Sequence, residues 1–492
     1  MTIQDRSVGR PEPQPAIVAA AGAAEEQRFH PHPTLVLLLG SFGVFLVFLD
    51  GTIVNIAFET ISHSFHTTTG RLSWVLNAYS LVFAAMLIPA GRIADRYGRK
   101  RMFITGLAGF AVMSALCGIA GDPNVLIAGR ALQAAFAALV VPTSLALILP
   151  EFPGIRRHVA VGTWGAMGAA AAATGPTIGA LLIEYASWRW IFLVNVPIAA
   201  LVIVFGSRIL HEAREPKSSG MPDPLGILLV AAIPAALSYS IVEGPTRGWS
   251  DPAIVVGFVL AAVLLPLFLW RTARASDPVM DLGLFRDRQF SLVNVATTLF
   301  ATAFYGMLLS NVVFLQTVWH YSVLRAALAS APGPILVALL ARTTSKLAGR
   351  IGHRPVLITG AVLWASGAVG YALWTGTKPE WWAHWLIFNL LVGLGISMSL
   401  PVQSAASVST LPPARYALGS AINTSFRQLG AVLGISLFVA VLGTPAPSKV
   451  LQSFQHGWWL FAALSLASGA ILLLPGFRRK DSSATPSASG RR

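Results

Sequence analysis

The sequence predicts an all-α integral membrane protein: two six-helix bundles with two further helices inserted between them, fourteen transmembrane helices in all. Three observations predict it. The first is composition: 55% of the 492 residues are hydrophobic and 11% charged, with a mean hydropathy of +0.67, where a soluble domain carries about a quarter charged residues. The second is that apolar runs of the length a bilayer needs, about 20 residues, recur fourteen times. The third is a repeat. Gly91-Arg-Ile-Ala-Asp95-Arg-Tyr-Gly98-Arg-Lys-Arg-Met-Phe-Ile-Thr-Gly106 returns 254 residues later as Ser345-Lys-Leu-Ala-Gly349-Arg-Ile-Gly352-His-Arg-Pro-Val-Leu-Ile-Thr-Gly360. Gly175-x-x-x-Gly179 returns 255 residues later as Gly430-x-x-x-Gly434. Duplicated halves around a midplane site are the architecture of secondary transporters.

Taken in order, residues 1–33 are polar and Pro-rich and are expected to form a disordered cytoplasmic tail. Six spans follow, at 34–59, 72–92, 102–120, 124–149, 158–183 and 190–208, making an N-terminal bundle over 34–210. The first run is too long for a signal-peptide core and has no small-residue cleavage site, so it is expected to stay as a span. Spans at 224–243 and 252–271 fall in a linker over 211–288. The second bundle, 289–476, holds 289–315, 324–345, 355–374, 382–408, 416–443 and 457–475, and 477–492 form a second cytoplasmic tail. Pro and Gly within several runs are tolerated in membrane helices. Nineteen Lys and Arg fall in gaps on the side of Arg92 to Arg101, and six on the side of Arg71 and Arg189, which predicts cytoplasmic termini.

The formal charge of +15 comes with no basic patch interleaved with aromatics, so nucleic acid is not an expected partner. The single Cys117 excludes an internal disulfide, no Cys/His cluster has metal-site spacing, and neither a nucleophile–base pair nor a Gly-rich nucleotide loop appears. No enzyme, metal or cofactor is expected.

Asp50 lies well inside the first span. An isolated ionised Asp there costs a few kcal/mol at least, and such residues mark functional sites by default. Arg130 in the fourth span sits at a comparable depth. A nearby cation and desolvation pull a carboxyl's proton affinity in opposite directions, which lets a small movement capture or release a proton. The same residues also fit a static pair that holds the bundle. Glu59, Glu184 and Glu243 fall at span ends, leaving Asp50 the only acid deep in a span. Arg427, in the thirteenth span, has no acid in its own half except Glu380 in a gap. It would be satisfied by carbonyls, Asn423, Gln428, water or Asp50. Asn55, Asn77, Tyr79, Gln133, Asn294, Asn311, Gln316, Asn389 and Gln403 complete a candidate cavity wall that is otherwise apolar and aromatic, a lining suited to bulky amphipathic molecules.

Gly91, Asp95, Arg96, Gly98 and Arg99 form a tight basic turn expected to take part in conformational gating, in which Asp95 can neutralise the bases or cap a neighbouring helix such as the thirteenth span. Their pattern, G-x-x-x-D-R-x-G-R-K, resembles the signature loop of the major facilitator superfamily. Leu49-Asp-Gly-Thr-Ile-Val-Asn55 is similar to the first-span motif of its fourteen-span drug:proton antiporters. Arg130-Ala-Leu-Gln133 resembles the R-x-x-Q/G motif of proton-coupled members, and Gly162 to Gly179, ending G-P-T-I-G, the antiporter motif. Trp188-Arg-Trp-Ile-Phe-Leu-Val-Asn195-Val-Pro197, Glu243-Gly-Pro-x-x-Gly-Trp249, Leu284-Phe-Arg-x-Arg-x-Phe290 and Asn423-Thr-x-x-Arg427-Gln-x-Gly430 are further matches in the family's order. Phe58-Glu59 replaces a usual Leu-Pro, Ala134 a usual Gly, and Ala180 a second Gly.

The resemblance implies the major facilitator fold, adjoining first and fourth spans, and proton-gradient-driven export of lipophilic small molecules or drugs across a bacterial cell membrane by a monomer. It also implies that Gly175, Pro176 and Gly179 gate the cycle by sealing the halves on one side. With no second membrane carboxylate, the expected substrates are neutral, zwitterionic or monocationic. Export of one endogenous metabolite, or ligand binding without turnover, fits the same residues.

Overall fold

The computed structural model describes residues 32–152, 155–212, 223–275, 278–412, 415–443 and 445–475. The two expected tails lie outside these, save residues 32 and 33. Fourteen long helices match the expected spans one for one: α1 (Pro33–Phe65), α2 (Thr69–Tyr97), α3 (Arg99–Gly118), α4 (Pro123–Ile148), α5 (Ile155–Tyr185), α6 (Trp190–Ile209), α7 (Pro224–Arg247), α8 (Pro252–Arg274), α9 (Arg288–Thr317), α10 (Val323–Ile351), α11 (His353–Trp374), α12 (Trp381–Val408), α13 (Tyr416–Leu442) and α14 (Val450–Ile471). Eleven of these are singly long and apolar enough to cross a membrane, and α2, bent by 51° around Pro89, makes twelve. The other two are α5, built largely of Gly and Ala, and α14, which opens on Gln452, Gln455 and His456.

Local chemistry starts the helices. The pairs Asp122-Pro123, Asp223-Pro224 and Asp251-Pro252 each place a carboxylate at the N-cap and a proline in the first turn. Asp122 accepts from Asn124 N at 2.7 Å, Asp223 from Leu225 N at 3.2 Å and Asp251 from Ala253 N at 2.8 Å.

The duplication is visible in the contacts. In the first half α1 packs on α4, α5 and α6, while α4 also holds α2 and α3; in the second, α9 packs on α12, α13 and α14, while α12 holds α10 and α11. The two turns of the long repeat match in detail. Gly98 has φ +109° and Gly352 φ +94°, and each bonds back to an alanine carbonyl, Ala94 at 2.9 Å and Ala348 at 3.0 Å. Between the halves, α2 meets α13 and α5 meets α10. The inserted α7 lies across the α2–α13 seam, and α8 outside it presents Val255, Val256, Val259, Leu260 and Val263 outward, as a lipid-facing helix does.

The end bearing the turns at Gly98 and Gly352 is called here the basic end. Toward the opposite end, one apolar core joins both halves, from Ile53, Ile56 and Trp188 to Phe314, Trp385 and Trp458. Toward the basic end each half has cores of its own, with Ala421 of α13 packed against that of the first half and Ser425 donating to the Ala84 carbonyl of α2 at 3.1 Å. The halves therefore share a core at the opposite end and, away from the α2–α13 contact, part into a cleft toward the basic end.

A buried carboxylate site and the cleft beside it

Five helices converge on Asp50, midway along α1 and fully buried. Arg130 and Gln133, three residues apart on one face of α4, both reach it. Arg130 Nη1 donates to Asp50 Oδ2 at 2.5 Å, and Gln133 Nε2 to Oδ1 at 3.0 Å. Asn195 of α6 donates a third bond to Oδ1, at 3.0 Å. Ser114 of α3 accepts from Gln133 at 3.1 Å and Asn195 at 3.0 Å, and itself donates to the Phe192 carbonyl at 2.8 Å. Every side chain turned to Asp50 is a donor, which is the arrangement an ionised carboxylate needs when buried.

Arg130 has other partners. Nη1 also donates to Gln133 Oε1 at 2.7 Å, and Nε to the Val75 carbonyl at 3.4 Å. Its guanidinium lies 4.0 Å from the centroid of the Tyr79 ring and 5.7 Å from that of Phe192. The cation thus keeps hydrogen-bonding and ring contacts that do not depend on Asp50. Two buried oxygens here, Tyr79 Oη and Asn195 Oδ1, have no hydrogen-bond partner among the described residues.

The other expected cavity residues scatter. Gln133 belongs to the carboxylate site rather than to an open wall. Asn55 bonds back to the Thr52 carbonyl of its own helix at 3.2 Å. Asn77 is fully buried in the α2–α7–α13 seam, donating to Ser238 at 3.3 Å and Ser436 at 3.1 Å. Asn294 accepts from Asn423 at 3.1 Å inside the α9–α13 contact. Asn311 accepts from Trp458 at 2.9 Å. Asn389 accepts from Gly333 N at 2.5 Å where prolines 332 and 334 interrupt α10; the carbonyl of Ala329 there is taken by Trp381 Nε1 at 3.1 Å. These amides mend helix breaks and seams. Gln316 ties the halves at the opposite end, donating to the Ile56 carbonyl at 3.3 Å. Gln403 is buried with its Oε1 unpartnered among the described residues.

Arg427 stays half-buried on α13. It reaches Ser404 on α12 at 3.5 Å and Thr424 at 3.4 Å. Neither Asn423, committed to Asn294 and Thr297, nor Asp50 is its partner.

The expected gating residues fall on α5 and around the turn at Gly98. A Cβ on Gly179 would stand 2.6 Å from Ile53 Cγ1 and 2.9 Å from Ile56 Cγ2, and one on Gly175 would collide with Thr52. That glycine face, beside Pro176, seats α5 on α1 within one half, while α5 also meets α10 of the other half. Gly430 and Gly434 seat α13 on α9 in the same way. Gly91 is roomy, with Pro142 Cβ at 3.9 Å its nearest neighbour. Asp95 pairs with Arg99 at 2.9 Å, and the N-cap residue of α13, Arg415, makes no side-chain cap bond. The acid that caps a helix here is Glu212, accepting from Lys100 N and Arg101 N at 3.1 Å each, while Arg96 lies over the Tyr97 ring at 5.7 Å. Glu212, Ser114 and the role of Asn195 were missed in the sequence. Only Asn195 carried a signal, its place in the Trp188–Pro197 stretch.

The major facilitator superfamily model matches residues 40–346 and 295–492. Over 411 residues the chain is 34% identical to the multidrug resistance protein Stp of Mycobacterium tuberculosis (strain CDC 1551 / Oshkosh), covering 83% of this chain and 75% of that one. It is 32% identical over 432 residues to the tetracenomycin C resistance and export protein of Streptomyces glaucescens, covering 88% and 79%. A crystal structure of a POT family transporter in complex with 5-aminolevulinic acid superposes with a TM-score of 0.67 at 15% identity, over 90% of this chain and 96% of that one. The repeat, the paired bundles and these matches agree: the chain belongs to the Major Facilitator Superfamily, a family of multi-pass membrane transporters and not of enzymes.

Proposed function

We propose that this transporter exports lipophilic small molecules, drugs or antibiotics among them, from a bacterial cell, driven by the proton gradient through Asp50 and without a cofactor. The relatives' resistance and export names support the substrate class. The observation that carries the coupling is the fully buried Asp50, held by Arg130, Gln133 and Asn195 at mid-helix. On proton uptake the ion pair loses its attraction, yet Arg130 keeps Gln133, the Val75 carbonyl and the Tyr79 ring. Turned over, Asn195 would offer its unpartnered Oδ1 to the new O–H. That turn would give up the bond Asn195 donates to Ser114, so the two protonation states differ in how α1 is tied to α4 and α6, and such a difference is what a two-state switch requires.

With the basic end in the cytoplasm, the parted cores support reading this as an inward-facing state, with Gln316–Ile56 and the shared aromatic core as its outer gate. All residues of the proposed cycle lie in one chain, which supports a monomer as the functional unit. The experiment is transport in proteoliposomes under an imposed pH gradient. Asp50→Asn should insert at wild-type level and abolish gradient-driven movement of a neutral or cationic fluorescent substrate. Transport by the Asn variant at the wild-type rate would remove Asp50 from the proton path.

A further inference from the structure

Arg427 is a cation near mid-depth of a membrane-spanning helix, eleven residues from one end of α13 and fifteen from the other. Such a charge normally has a carboxylate or a cluster of carbonyls beside it. Among the described residues it has two hydroxyls here, Ser404 and Thr424, at 3.5 Å and 3.4 Å, both longer than an ordinary N–H···O bond. The sequence allows nothing better from its own half. Between Asp287 and Asp481 the one acid is Glu380, which pairs with His384 at 2.8 Å near the opposite end. Asp50 is fully committed to Arg130, Gln133 and Asn195.

The guanidinium is also placed to be met. It is half-buried rather than sealed, it stretches from α13 to α12, and Ser404 and Thr424 beside it are half-open too. Half-buried Tyr305 and Phe304 stand on α9, the helix on which α13 packs. Phe304 packs edge-on against Tyr305, with ring centroids 4.9 Å apart. A planar two-pronged donor set with aromatic side chains on the neighbouring helix is suited to one kind of ligand end.

We propose that Arg427 is an anion seat in the cleft, binding a carboxylate or similarly acidic group of an otherwise aromatic, lipophilic molecule. This rests on the exporter reading and deepens it, adding acids to the neutral, zwitterionic and monocationic substrates expected from the sequence. The Arg427 fork takes the acidic group; Tyr305 and Phe304 face the apolar body.

Binding tests this without any gradient, so its failure is separate from failure of proton coupling. Three probes share a pyrene body and differ in the head: 1-pyrenebutyrate, 1-pyrenebutanol and pyrenebutyl-trimethylammonium. Energy transfer from tryptophan to pyrene at pH 7.5 reads their Kd on the full-length protein in detergent. Wild type should prefer the carboxylate. Arg427→Gln should weaken pyrenebutyrate about tenfold to a hundredfold, the range a charge-assisted hydrogen-bonded contact supports, and leave pyrenebutanol within about twofold. Arg427→Lys, which keeps the charge and loses the fork, should bind pyrenebutyrate more tightly than Arg427→Gln and more weakly than wild type. Equal binding of carboxylate and alcohol by the wild type would overturn the proposal. So would unchanged pyrenebutyrate binding in Arg427→Gln, or an equal fall for all three probes, which would mark a structural arginine.

Discussion

Gly98 and Gly352 occupy equivalent turns of the two halves, yet substituting them should not cost the same. Both have positive φ, with ψ 130° at Gly98 and 156° at Gly352, a region nearly closed to side chains, so alanine at either costs about 1–3 kcal/mol of backbone strain. Their surroundings differ. A Cβ on Gly352 would find only Pro355 Cδ, at 3.9 Å, whereas one on Gly98 would lie 2.5 to 2.8 Å from the Glu212 carboxylate. That carboxylate would have to release the amides of Lys100 and Arg101, which it caps at 3.1 Å. Losing an N-cap costs about 0.5–2 kcal/mol, and because Glu212 is exposed a value near 1 kcal/mol is appropriate. Gly98→Ala should therefore be less stable than Gly352→Ala by about 1 kcal/mol. In a Glu212→Ala background the difference should vanish, as the cycle isolates the cap. The assay is the midpoint of thermal loss of the monodisperse peak in one detergent. Equal midpoints in the parent, or a gap that survives Glu212→Ala, would refute the reasoning.

Gly179→Leu should push α5 off Ile53 and Ile56 of α1, costing about 1–3 kcal/mol by overpacking and lowering both melting midpoint and transport. Gly165→Ala on the same helix meets nothing within 4 Å, so it should hold or raise the midpoint, since Ala is the better helix former. Asp223 caps α7 and accepts two bonds from Arg271, at 2.9 and 3.0 Å. That guanidinium, with the backbone amides of Gly226 and Leu225, holds its carboxyl below the usual carboxylate range. Because the folded value is the lower one, the stabilisation is complete above the unfolded value of about 3.9 and is lost as pH falls through the folded value. The melting advantage of wild type over Asp223→Asn should be flat above about pH 5 and shrink below about pH 4; a constant advantage down to pH 3 would contradict this.

Asp50 could be read from the sequence because its cost is set by depth alone, and Arg130 because a cation at matching depth stands one motif away. The duplication was equally legible, since it survives as residues at a constant offset, down to the positive-φ glycines 98 and 352. Amide roles were not legible. Asn77, Asn294 and Asn389 look like cavity residues in a one-dimensional list because each is polar in an apolar run. A buried amide, however, goes wherever a backbone group or hydroxyl is orphaned, and that depends on which helix lies opposite. Asn389 needed the break at prolines 332 and 334 of α10, and Asn77 needed α7 laid over the α2–α13 seam. The Gly-Pro face of α5 shows the same limit: small residues announce close approach without saying to which neighbour. The three Asp-Pro helix starts, by contrast, were a signal available in the sequence that the fold makes plain.

The two proposed sites differ in charge, and that difference bears on what the proton can drive. With Asp50 ionised, its pair with Arg130 is neutral, and Arg427 has no acidic partner among the described residues. With Asp50 protonated, Arg130 loses its counter-charge while keeping its other contacts, and the middle of the bundle holds two net cations. A cationic substrate is disfavoured by that second charge and so competes with the proton, as exchange requires. An acidic substrate seated on Arg427 is favoured by it and does not compete. Such a substrate has another source of drive, because moving one negative charge outward gains about 2.3 kcal/mol per 100 mV of inside-negative potential. Asp50→Asn, which imitates the protonated acid, should then stop pH-driven export of a cationic pyrene probe while sparing potential-driven export of pyrenebutyrate. Loss of both in liposomes clamped with valinomycin and potassium would mean that every substrate passes through one obligatory proton step, and that charge at Arg427 does not divide them.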